Sequence, residues 1–215
     1  MFNMIVGSVP LLLAFIASLG GREKQGANWS LLFPWFLFFT FVIQWTGFFL
    51  WPLFQIENQF LFNIYMLTDN IFYLYVFYSV LKKPLFKKIV LVIGTGFLFC
   101  YLFDVIFVNR LFTYGSYAAN AGNMAKVGCG LLFFTEILMS DEYIDIFRLP
   151  MFWIATGIII SAVGVLFYLC FFNYITNDVD KNGRIWGILA TILSVIEYGF
   201  FTVGFILKKK WAIGK

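Results

Sequence analysis

Seven runs of apolar residues divide this chain from end to end, at about 3–19, 31–53, 59–81, 88–108, 118–139, 151–174 and 185–207. Each is close to the ~20 residues that a helix needs to cross ~30 Å of hydrocarbon. The connections are short, so no soluble domain is inserted. The predicted fold is therefore an all-α membrane protein, a single seven-transmembrane-helix bundle over residues 1–215. Composition supports this. Only 12% of the residues are charged and 62% are hydrophobic, whereas soluble domains run about 25% charged. A globule of this make-up could not cover its surface with polar groups.

Charge sets the expected orientation. The connection after the first run carries Arg22 and Lys24, that after the third is KKPLFKK, and the tail is KKKWAIGK. The alternate connections, QIEN, NRLFTYGS and TNDVDKNGR, hold no basic cluster; SDEYIDIFRLP, on the basic side, is discordant, being acidic apart from Arg148, but acidic residues count little toward orientation. Basic residues stay on the cytoplasmic side. The expectation is an N-terminus outside and a C-terminus in the cytoplasm of a multi-pass protein of the plasma (inner) membrane. Trp29, Trp51, Trp153, Trp186 and Trp211 fall near run ends, where an amphipathic ring suits the interface. The net charge of +4 is made of these topology signals, and no nucleic-acid partner is expected from it.

There is no histidine. Histidine-ligated metal sites and Ser-His or Cys-His nucleophile pairs are thus excluded within this chain. Cys100, Cys129 and Cys170 lie inside apolar runs without a metal-ligand spacing and are expected to be small packing residues. No metal, cofactor or catalytic residue is assigned. Glycines mark close helix approach: Gly94, Gly96, Gly122, Gly128, Gly130, Gly157 and Gly164.

Five ionisable residues interrupt the apolar runs: Asp69, Asp104, Lys126, Glu136 and Glu197. Each costs roughly 2.5–3.5 kcal/mol to insert, so such groups face the bundle interior and find partners. A helix rises ~1.5 Å per residue, which sets the depth of each group. Asp69 and Glu197 come out about 15–18 Å below the outer end of their helices, Lys126 about 12 Å and Asp104 about 6 Å. Asp104 and Lys126, on consecutive helices, are expected to pair, either as a clamp or as the charged wall of a pocket. Glu136 is expected to reach cytoplasmic water. Tyr65, Asp69 and Tyr73 recur at spacing four and share one helix face. With Gln44, Asn70, Asp104, Lys126 and Glu197 they form the candidate ligand-binding layer, open to the outside. Interhelical glue is the competing reading of the same residues, at about 0.6 kcal/mol per hydrogen bond.

The helix count resembles receptor-like and rhodopsin-like bundles. The lysines of the seventh run, Lys208 to Lys210, lie beyond its end, so a retinal link is excluded. The lack of Pro-Gln pairs counts against sugar transporters built as three-plus-one-plus-three. LPMFWIATGIIISAVG, with Pro150, Phe152, Trp153, Gly157 and Gly164, followed by ILATILSVIEYGFFTVGFILKKK, is similar to small bacterial seven-helix membrane proteins, some encoded beside sensor histidine kinases. That resemblance covers the C-terminal third and carries over no catalytic residue. It implies a sensory or accessory signalling subunit acting through a partner such as a histidine kinase, with a small ligand or cation in the outer pocket. Besides the lipid bilayer, a second copy of the chain is a conceivable partner. Two other classes stay open: an ion-coupled small-solute transporter using Asp69 and Glu197, and a lipid-modifying enzyme using Asp69 with Glu197 or Asp104 as acid and base.

Overall fold

The computed structural model describes residues 2–20, 29–55, 58–109, 111–113, 115–140, 145–170 and 184–213. Among them are seven α-helices: α1 (Phe2–Leu19), α2 (Trp29–Phe54), α3 (Gln59–Val80), α4 (Pro84–Phe103), α5 (Ser116–Leu138), α6 (Pro150–Cys170) and α7 (Arg184–Ile213). A π-turn, Asp104–Val108, ends α4, and a 3-10 turn, Ile146–Arg148, precedes α6. Each apolar run holds one helix. The boundaries move where local chemistry dictates. α4 opens four residues early, with Pro84 in the first turn, because proline lacks the N–H that a helix start leaves unpaired. α7 continues through the lysines to Ile213.

Among the described residues, five helices are long and apolar enough to cross a membrane: Trp29–Leu50, Gln59–Val80, Pro84–Val108, Pro150–Cys170 and Arg184–Lys208. Val6–Leu19 is a shorter apolar helix. At 23 residues α5 is long enough, but it carries Asn120, Asn123, Lys126 and Glu136 and falls outside this set.

The chain forms two compact units. One comprises Met1–Gly26 and Met139–Lys215, in which α7 packs along both α1 and α6. Small residues allow the α6–α7 approach. A Cβ on Gly157 would lie 2.9 Å from Phe200 Cβ and 3.1 Å from the Glu197 carbonyl oxygen, and one on Gly164 would lie 2.5 Å from Leu193.

The other unit is Ala27–Leu138. α3 lies at its centre, packed on α2, α4 and α5, and α5 also runs along α4. The α2–α3 seam is aromatic. Phe36 and Phe72 stack at 3.9 Å, while Phe33 meets Phe72 edgewise at 5.2 Å and Tyr73 meets Phe36 at 5.4 Å. Such pairs add about 0.5–1.5 kcal/mol each beyond burial. The α3–α4–α5 seam is built differently. Phe97 and Tyr101 of α4 pack on Ala118 and Ala125 of α5, with Met66, Leu67, Leu74, Ile93 and Val105 around them. The buried face of α5 is mostly Ala, Gly and Cys, which brings its backbone close to its neighbours.

Polarity is reversed relative to a water-soluble bundle. Val92, Phe99 and Phe107 are 71%, 71% and 73% exposed, whereas Thr40, Asn63, Asp69, Asn70 and Asp104 are buried. An outer surface of this kind suits lipid and would be an association hazard in water. The cysteines are all free, but only Cys129 is buried; Cys100 and Cys170 are exposed. A thiol on the outer surface of an apolar helix needs no packing role there.

Candidate functional site

The centre of the Ala27–Leu138 unit holds an ion pair between Lys126 of α5 and Asp69 of α3. Their side chains are only 14% and 10% exposed. Asp69 Oδ1 also accepts from Tyr65 Oη at 3.3 Å, and Tyr65 Oη lies 3.5 Å from the buried Thr40 Oγ1 of α2. The Lys126 ammonium sits over the Tyr73 ring at 5.0 Å, a favourable place for a desolvated cation. One polar chain, Thr40–Tyr65–Asp69–Lys126, thus ties three helices together. Tyr65, Asp69 and Tyr73 share the face of α3 that their spacing of four predicts.

Asn70, the next residue of α3, packs against the α5 backbone. A Cβ on Gly122 would lie 2.5 Å from Asn70 Nδ2 and 2.7 Å from Oδ1. Asn70 Nδ2 donates to the Met66 carbonyl at 2.8 Å. Its Oδ1 is buried without a hydrogen-bond partner among the described residues, as is Asn120 Oδ1 of α5. Buried orphan acceptors are costly, and these two are on the helices that carry the ion pair.

Asp104 does not pair with Lys126, contrary to expectation. It is fully buried at the start of the π-turn. Its Oδ1 accepts from Asn109 Nδ2 at 2.6 Å and its Oδ2 from the Ala118 N–H at 2.8 Å. Ala118 is in the first turn of α5, and the first N–H groups of a helix have no partner within it. A carboxylate satisfies such a donor and complements the positive helix end. Lys126 is eight residues further on, about 12 Å along the axis, so Asp69 is the carboxylate that faces it. Asn63 completes this second network. Its Nδ2 donates to the carbonyls of Leu111 and Thr113 at 2.8 and 2.7 Å, and its Oδ1 accepts from the Gly115 N–H at 3.3 Å. Tyr101 Oη reaches the Asn63 carbonyl at 3.4 Å.

Glu136 has a partner that the sequence reading missed. Its carboxylate accepts from the Lys82 N–H at 3.1 and 2.9 Å and from the Lys83 N–H at 2.6 Å. Lys83 and Pro84 begin α4. Two antiparallel neighbours therefore cap each other: the end of α4 supplies Asp104 to the start of α5, and the end of α5 supplies Glu136 to the start of α4.

Of the predicted layer, the fold brings together Tyr65, Asp69, Asn70, Tyr73 and Lys126. Gln44 is half-buried on α2 and makes no hydrogen bond to the described residues. Asp104 belongs to the α5 cap. Glu197 lies half-buried on α7, in the other compact unit. As for chemistry, the Asp69–Lys126 pair is neutral overall and desolvated. A cation or proton can compete for Asp69, and an anion for Lys126. Asp69 and Asp104 answer to separate partners, so an acid–base pair between them gains no support. No cluster of metal-ligating side chains occurs among the described residues. No family model, curated protein or solved structure matches this chain.

Proposed function

We propose that this chain is a multi-pass inner-membrane protein of seven spans, with its N-terminus outside and its C-terminus cytoplasmic, that works as a sensor or accessory signalling subunit. The observation behind this reading is the Asp69–Lys126 pair, a carboxylate and an ammonium buried together between α3 and α5. Ionisable residues kept inside apolar helices mark functional sites by default. A small ligand or ion entering from the outer side competes for one member of the pair. That frees α5 from α3 at its middle, and α5 carries the change to Glu136 at its far end. With no output domain within its short connections, the protein passes the signal to a partner such as a histidine kinase. The resemblance of the C-terminal third to small proteins of that setting supports the choice of partner.

The test is thermal stability of purified protein against a panel of ions, metabolites and lipids. Binding to the folded state raises apparent stability by mass action. The comparison is with the doubly neutral variant Asp69→Asn, Lys126→Met. A ligand that stabilises wild type and not the double variant is expected. A panel that shifts both proteins equally sinks the reading.

Ion-coupled transport is the second reading. It is favoured by one feature: Asp69 already holds an ammonium, Lys126, which an external cation or proton can replace. Flux in proteoliposomes that vanishes in Asp69→Asn would move the assignment to a carrier.

A further inference from the structure

The turn between α3 and α4 carries Lys82, Lys83, Lys87 and Lys88 around an apolar tip. Lys82 and Lys88 are exposed, Lys83 and Lys87 half-buried, and Leu85 between them is 63% exposed. Two ammonium groups are held on aromatic faces, Lys83 at 5.7 Å over Phe86 and Lys87 at 5.3 Å over Tyr78. Ion pairs among the described residues are Lys126–Asp69 and Arg148–Asp145, so none of the four lysines has a carboxylate partner there. Glu136 is close, but its oxygens are taken up by the backbone N–H groups of Lys82 and Lys83. Four cations are thus concentrated on the seven residues 82–88, with Glu136 of α5 the one carboxylate beside them. The segments on either side, Gln59–Val80 and Pro84–Val108, are both apolar enough to cross a membrane, which puts this corner at the membrane surface.

We propose that the α3–α4 corner is a docking site for the headgroup of an anionic phospholipid. The phosphate lies among the four ammonium groups, and Leu85 enters the acyl region beside it. Basic residues next to a spanning helix attract anionic lipid by an amount that corresponds to roughly a fivefold change in affinity per lysine. This site is independent of the sensor reading, because neither Asp69 nor Lys126 takes part.

The full-length protein in neutral detergent is titrated with phosphatidylglycerol or phosphatidylcholine at low and high salt. Bound lipid is counted by native mass spectrometry and stability followed by thermal unfolding. Wild type is expected to retain and be stabilised by phosphatidylglycerol only, with the effect fading at high salt. Lys82→Gln, Lys83→Gln, Lys87→Gln and Lys88→Gln together are expected to weaken it by ~100-fold or more. Glutamine keeps the backbone donors to Glu136, so the cap survives. If the fourfold variant does not fold, either pair, Lys82/Lys83 or Lys87/Lys88, is expected to show a loss of about 25-fold. A control with Lys208, Lys209 and Lys210 changed to Gln, which removes juxtamembrane charge away from the corner, is expected to weaken binding far less than the fourfold variant. Equal retention of both lipids, unchanged binding in the lysine variants, an equal loss in the control, or an equal effect of inorganic phosphate would each overturn the proposal.

Discussion

Asp69 and Lys126 each make sense only with the other. Alone, either would be a charge held out of water, and removing one partner of a buried pair costs about 3–5 kcal/mol. Asp69→Asn and Lys126→Met are each expected to destabilise by that order in thermal unfolding. The double variant is expected to recover most of the loss, because replacing both charges is often neutral. Additive losses would mean that the pair contributes nothing as a pair. Asn70 and Gly122 make a second coupled couple. Gly122→Ala puts a Cβ 2.5–2.8 Å from the Asn70 amide, and overpacking of this kind costs about 1–3 kcal/mol. Asn70→Ala in the same chain is expected to restore stability, since it removes both the clash and the orphan Oδ1. The first couple was half visible in the sequence. Any charge in an apolar run needs a partner, but adjacency along the chain points Lys126 to Asp104, although the depth count, about 12 Å against about 15 Å for Asp69 and about 6 Å for Asp104, lies nearer Asp69. The second couple was not visible: an asparagine packed on a glycine backbone leaves no periodic signal.

At the scale of helices, most of the fold was legible because hydrocarbon thickness is a ruler. Each of the seven apolar runs holds one α-helix among the described residues, and five of these are long and apolar enough to cross a membrane. The ends were less legible, because they are decided by unpaired N–H groups. Asp104 and Glu136 were read as charges seeking charges or water, yet both are used as caps on a neighbour's first turn. This predicts different costs at the two ends. Asp104→Ala leaves the buried Ala118 N–H and the Asn109 amide unpaired, which is expected to cost about 2–3 kcal/mol. Asp104→Asn keeps an acceptor for Ala118 and is expected to cost less. Glu136→Ala acts at a more exposed site and is expected to cost about 1 kcal/mol. Chemical unfolding of the three variants checks the order; Glu136→Ala as damaging as Asp104→Ala would show that burial is not what separates them.

The whole molecule poses a problem in α5. Under the proposed seven-span topology α5 crosses the membrane, yet it carries Lys126, Glu136 and two asparagines among its 23 residues. Lys126 alone costs about 2.5–3.5 kcal/mol to insert. What offsets this lies outside α5: the Asp69 carboxylate, the Tyr73 ring, and the Asp104 cap on its first turn. A helix stabilised in that way should enter the membrane with α3 and α4 and not by itself. Residues 116–138 grafted alone into a host insertion reporter are therefore expected to stay out of the bilayer, while grafted α2, α3, α4, α6 and α7 insert. In the full chain, a reporter joined after residue 140 is expected on the cytoplasmic side, together with one placed in the KKPLFKK connection. The Asp69→Asn chain is expected to show a mixed population at residue 140, because the charge that accepts Lys126 is gone. Independent insertion of residues 116–138, or a uniform cytoplasmic reporter in Asp69→Asn, would mean that α5 needs no partner to span. The ion pair would then be a late packing contact rather than a condition for α5 to cross the membrane.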